Sequence, residues 1–127
     1  MSGETLSYVC GTSTKPLLFS TVGQVLDQAA ARWGDRDAVI VRHQNLRMSY
    51  RELRDAADQL AAGLLALGLE PGDRIGIWSH NRIEWVLTQF ATAKAGLILV
   101  NINPAYRVAE LEFALNQVEC KAIVIAD

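Results

Sequence analysis

Three short apolar runs, at residues 74–78, 97–102 and 122–126, alternate with two stretches of helical periodicity, and no other feature constrains the fold as much. Each run is apolar at successive positions, so each offers a hydrophobic surface to both faces of the sheet it joins. Strand, helix, strand, helix, strand with short loops implies right-handed crossovers and a parallel sheet covered by helices. The 74–78 run is expected at the centre. The fold class is therefore α/β.

The intervening helices carry their own signals. Asn81 is placed to cap a helix over 82–94, with Ile83, Val86, Leu87, Phe90 and Ala91 facing inward and Gly96 beyond its end. Leu111, Leu115 and Val118 recur at helical spacing over 108–118. Upstream, Thr21 and Gln24 form a capping box before Val22, Val25, Leu26, Ala29 and Trp33, and Gly34 closes that helix. Residues 38–42 and 46–48 flank a turn at 43–45, which predicts a β-hairpin at the edge of the sheet. Ser49 and Glu52 make a second capping box, followed by the longest apolar stripe: Leu53, Ala56, Ala57, Leu60, Ala61, Leu64 and Leu65, ending before Gly68.

Residues 1–20, with Gly11, Thr12, Ser13, Thr14 and Pro16, lack periodicity and read as an extended arm. Residues 21–127 read as the first part of an α/β domain. Its last strand meets Asp127 with no closing element, which leads to the expectation of a fragment that exposes apolar surface and self-associates.

Half of the 127 residues are apolar, enough for one core. Twelve Lys and Arg against fourteen Asp and Glu leave a charge of -2, which argues against nucleic acid and anionic membrane as partners. No apolar run approaches the roughly 18 residues of a membrane span. The start Met1, Ser2, Gly3, Glu4 has neither secretory nor transit character, so the expected compartment is the cytoplasm. Cys10 and Cys120 lack paired spacing and are read as free thiols, Cys10 accessible and Cys120 buried.

An open parallel sheet binds ligands at the carboxyl ends of its strands, which singles out 79–81, 103–106 and whatever follows Asp127. Ser79, His80, Asn81 and Glu84 offer a base beside a helix N-terminus, but a cap and a solvated loop histidine explain them better, because no nucleophile or second carboxylate is placed with them. Asn103, Pro104 and Tyr106 fit a strand end turning into a helix. Arg42, Arg47, Arg51 and Arg54 are interleaved with Glu52, Asp55 and Asp58, as on a solvated face. Trp33, Trp78 and Trp85 are read as core. No GxGxxG and no GxxxxGK followed by Ser or Thr occurs.

The order of several short motifs goes further. Ser49-Tyr50-Arg51-Glu52-Leu53, Gly68-Leu69 and Pro71-Gly72-Asp73-Arg74-Ile75 resemble the opening of adenylate-forming enzymes. Asn81, Glu84-Trp85, Ala91, Ala95-Gly96 and Asn103-Pro104 resemble the next stretch. The arm, with Ser7-Tyr8, Gly11-Thr12-Ser13 and Lys15-Pro16-Leu17-Leu18 before Thr21-Val22-Gly23, is similar to the acyl-CoA synthetase family member 2 group and its bacterial relatives. The resemblance implies a place in the large N-terminal domain of such enzymes. It also implies activation of a medium-chain fatty acid by ATP and Mg2+ to an acyl-adenylate, with transfer to coenzyme A and release of AMP.

The family's phosphate loop, nucleotide contacts, magnesium glutamate and C-terminal lysine fall beyond Asp127. No catalytic, cofactor-binding or metal-binding role passes to any residue of this chain, which is expected to be scaffold and inactive alone. Two other readings stay open: a self-contained flavodoxin-like binding module without enzymatic activity, and an adenylating enzyme that loads a carrier protein.

Overall fold

The computed structural model describes residues 11–126, so the expectations for Cys10, Ser7 and Tyr8 lie outside the described residues. Helix α1 (Val22–Trp33) precedes strand β1 (Asp37–Val41), which returns antiparallel as β2 (Leu46–Ser49). Helix α2 (Tyr50–Ala66) leads into β3 (Arg74–Trp78), α3 (Ile83–Ala95), β4 (Ile98–Ile102), α4 (Val108–Gln117) and β5 (Ala122–Ile125). The three later strands form a parallel sheet in the order β4-β3-β5, with β3 at the centre as its apolar run predicts. The hairpin forms a separate two-stranded sheet instead of lengthening the parallel one, and Ala38 and Val39 pack against Leu26 of α1 and Leu53 and Ala57 of α2.

Register fixes what each face of the sheet carries. Ile75 lies beside Leu99 and Ala122, and Ile77 beside Asn101 and Val124. This face meets Ala61 and Leu64 of α2 and Ala91 and Ala95 of α3, closing one cluster with Leu69 and Leu97. The opposite face carries Gly76, Ile98, Val100, Ile102, Ile123 and Ile125. Helix α4 lies over it: the Leu115 side chain is 3.3 Å from where a Cβ on Gly76 would stand. A second cluster, Leu26, Leu53 and Ala57 with Val86, Leu87 and Phe90, joins α1, α2 and α3.

Both predicted capping boxes form. Thr21 Oγ1 accepts from the Gln24 N–H at 3.2 Å, and Ser49 Oγ from the Glu52 N–H at 3.3 Å. In return, Gln24 accepts from the Thr21 N–H and Glu52 from the Ser49 N–H. The expected face of α1 is rotated, however. Gly23, Leu26 and Ala30 are buried, while Val22, Val25 and Trp33 are exposed. The reason lies at Gly23, where an added Cβ would stand 2.8 Å from Lys94 Cγ. A missing side chain lets α1 approach α3, and that contact outranks the wider apolar stripe.

Lys94 occupies this junction with only 12 % of its side chain exposed, donating to Asp58 of α2 at 2.6 Å and to Asp27 of α1. Burial pulls the ammonium pKa down, but the two carboxylates outweigh it and leave the group above its ordinary value. The inward face of α3 also includes Thr88 and Thr92. Their hydroxyls donate to the carbonyls of Glu84 and Thr88 one turn earlier, so each buries a methyl group with no orphaned polar atom. Gly96, at φ +74°, ends α3 in the left-handed conformation.

Candidate functional site

The carboxyl ends of the three parallel strands open into two adjoining recesses. The smaller, about 130 Å³, has a floor of Ile77, Val124 and Ile125, with Ser79, Arg82, Glu84 and Trp85 on its walls. The larger, about 490 Å³, lies between 79–81 and 101–104, and Trp85 borders it too. The sequence-predicted loops 79–81 and 103–104 are thus brought to one place, as the topology of an open α/β sheet requires. Tyr106 is elsewhere, beside Ala109, Glu110 and Phe113 on α4.

Within this cleft the structural duties of several polar groups are visible. Asn103 Oδ1 accepts from the Ala105 N–H at 3.0 Å, a turn closed by an asparagine side chain, and its carbonyl accepts from Trp78 Nε1 at 3.1 Å. Ser79 Oγ donates to the His80 carbonyl at 2.8 Å. Trp78 is therefore bound to the adjoining strand end, whereas Trp85 contributes wall to both recesses rather than core. Trp33 is likewise no core residue: it is exposed, 6.0 Å from Tyr50 between ring centroids and 4.8 Å from the Arg32 guanidinium.

Asn81 does not cap α3. The N-cap position is Arg82, which makes no side-chain capping bond, and the Ile83 N–H donates instead to Gln44 Oε1 at 2.8 Å. Gln44 lies in the 3₁₀ turn of the hairpin, Arg42–Gln44. Its Nε2 donates to the Glu84 carboxylate at 2.9 and 3.3 Å. The Gln44 amide holds Glu84 below the usual carboxylate range, helped by the helix's own backbone N–H and by the charges of Arg82 and His43. Arg82 Nε stands 3.6 Å from the same carboxylate.

At the start of α3 the part-buried Ile83 N–H is engaged by a glutamine oxygen, and the nearby guanidinium faces a carboxylate. Among the described residues no group of three or more His, Cys, Asp or Glu is placed to hold a metal ion. Around the hairpin and second helix, Arg47 pairs with Asp37, Arg51 with Asp35 and Arg54 with Asp55, as expected of a solvated face. Cys120 is half-buried, and burial pushes its thiol pKa up against the opposing pull of Arg74.

Residues 26–127 match the family described as AMP-binding enzyme. The chain belongs to that family. Its α/β architecture is that of the N-terminal domain of adenylate-forming acyl-CoA synthetases: the fatty acyl CoA synthetase of Mycobacterium tuberculosis superposes with a TM-score of 0.80 at 28% identity, over 83% of this chain and 21% of that one. The chain is 48% identical over 119 residues to the mitochondrial medium-chain acyl-CoA ligase ACSF2 of Mus musculus, and 49% identical over 119 residues to that of Homo sapiens. Each alignment covers 94% of this chain but 19% of the relative. The chain thus spans about a fifth of the length of the curated relatives it matches.

Proposed function

We propose that this chain is the opening scaffold of an ATP-dependent fatty acid–CoA ligase. In this reading the longer protein joins a medium-chain fatty acid to AMP with release of pyrophosphate, and then transfers the acyl group to coenzyme A with release of AMP. Identity near one half to medium-chain acyl-CoA ligases, sustained over nearly the whole chain, supports the reading. ATP, Mg2+ and coenzyme A are cofactors of the longer enzyme, and the fatty acid is its partner. We assign no catalytic, nucleotide-binding or metal-binding residue to this segment. Stabilising a transferring phosphoryl or adenylyl group requires convergent cations, N–H donors and metal ligands. The carboxyl-end cleft offers an arginine opposite a glutamate and a capped helix start.

The cytoplasm read from the sequence stands as the proposed location beside the mitochondria named for the mammalian relatives, and fractionation of cells decides between them. No helix among the described residues is long and apolar enough to cross a membrane.

The test is ATP–pyrophosphate exchange with medium-chain fatty acids, run on residues 1–127 and on the longer natural protein. Exchange by the longer protein alone is expected. Exchange by the short chain would overturn the scaffold assignment, and silence of the longer protein with every fatty acid would overturn the substrate. Supplying coenzyme A or a phosphopantetheinylated carrier protein then identifies the acceptor.

A further inference from the structure

We propose that Gln44 is a positioning residue that ties the hairpin to the mouth of the carboxyl-end cleft, one amide gripping both the first backbone N–H of α3 and the carboxylate of Glu84. Three observations converge. The N-cap residue of α3 makes no side-chain capping bond, and the Ile83 N–H of the first turn is instead met by a side chain from another element. That turn supplies Arg82, Glu84 and Trp85 to the cleft wall. The amide uses both of its ends, oxygen toward Ile83 and nitrogen toward Glu84, so the hairpin tip sets the helix start and the carboxylate together. A ligand that shifts this turn must shift the hairpin with it, and displacement of the hairpin must reshape the cleft by the same linkage.

Two variants separate the halves of this grip. Gln44→Met removes both bonds. Gln44→Glu keeps an acceptor for the Ile83 N–H but turns a second carboxylate on Glu84, which already faces Arg82 and His43. By NMR on the 127-residue chain, Gln44→Met is expected to speed amide exchange at Ile83 about fivefold, the factor an ordinary hydrogen bond supports. It should also return the Glu84 titration upward toward an ordinary glutamate. Gln44→Glu should keep Ile83 protected while Glu84 titrates higher still. Glu52, held by Ser49 on another helix, should titrate as before in both variants.

Unchanged Ile83 exchange and Glu84 titration in Gln44→Met would overturn the proposal. So would general loosening in which Glu52 moves with Glu84, or loss of Ile83 protection in Gln44→Glu. If Gln44→Met does not fold, Gln44→Glu decides alone: a protected Ile83 with a raised Glu84 supports the grip, and any other pattern ends it. None of these readouts needs fatty acid, ATP or coenzyme A, so they stand or fall independently of the ligase assay.

Discussion

Ser49 and Lys94 show how differently single residues can be read from sequence. A capping box is local: Ser49 and Glu52 sit three positions apart, and their reciprocal bonds form as the spacing predicts. Ser49→Ala should lower stability by about 1 kcal/mol, read as a shift in denaturant midpoint. Its backbone and side-chain bonds to Ser49 hold the Glu52 carboxyl below its ordinary value of 4.5. A depressed carboxylate stabilises above its unfolded pKa, and the contribution is lost as pH falls through the folded value. Ser49→Ala keeps the backbone N–H bond and loses only the hydroxyl bond to the Glu52 carboxylate, so the stability gap between wild type and variant should narrow below about pH 4.5 by the hydroxyl's share alone, which chemical denaturation across pH can measure. Lys94 and Gln44 had no such signal, because their partners lie on other elements far away in sequence. Lys94→Met leaves Asp27 and Asp58 without their shared cation and should cost about 1–2 kcal/mol, a buried-pair penalty discounted for two half-exposed carboxylates. The raised Lys94 pKa places that stabilisation below about pH 10.5, so it is fully present at neutral pH and fades only as pH rises through the folded value.

Helices and strands were legible wherever one periodicity ruled. The three apolar runs became β3, β4 and β5, and the stripe from Leu53 to Leu64 became the buried face of α2. The face of α1 was not legible, because a hydropathy count ranks Val25 above Gly23, whereas packing against Lys94 rewards the residue that leaves room. Thr88 and Thr92 were missed for a related reason: their hydroxyls are satisfied within the helix, so they pack as small apolar groups. In the cleft, topology predicted which loops meet but not that a hairpin glutamine would cap α3 in place of Asn81. Two helical glycines give opposite expectations. An added Cβ on Gly63 of α2 meets nothing within 4 Å, so Gly63→Ala should stabilise by roughly 0.5–1 kcal/mol. Gly23→Ala carries the same propensity gain, but its Cβ drives into the Lys94 stem and should lower the thermal midpoint. Melting both variants side by side checks the pair.

Across the whole molecule, one face of the parallel sheet is sealed by α2 and α3, while the other leaves Ile98 at 51% and Ile125 at 62% exposure, with Phe113 of α4 at 70%. Apolar surface of this kind favours association. We expect the 127-residue chain to sediment as concentration-dependent oligomers, and Ile125→Lys to shift it toward monomer; sedimentation of wild type that does not change with concentration would contradict this. The central position of β3 has a further consequence in time. A ribosome delivers β3 before either of its sheet neighbours, so Ile75 and Ile77 have no strand to pair with until Ile102 has emerged, and β3 keeps one bare side until Ile125 follows. At about 5–20 residues per second that wait is on the order of seconds. Helix α2, finished earlier, is the surface already at hand, and its Ala61 and Leu64 can shelter the nascent strand until the sheet closes around it.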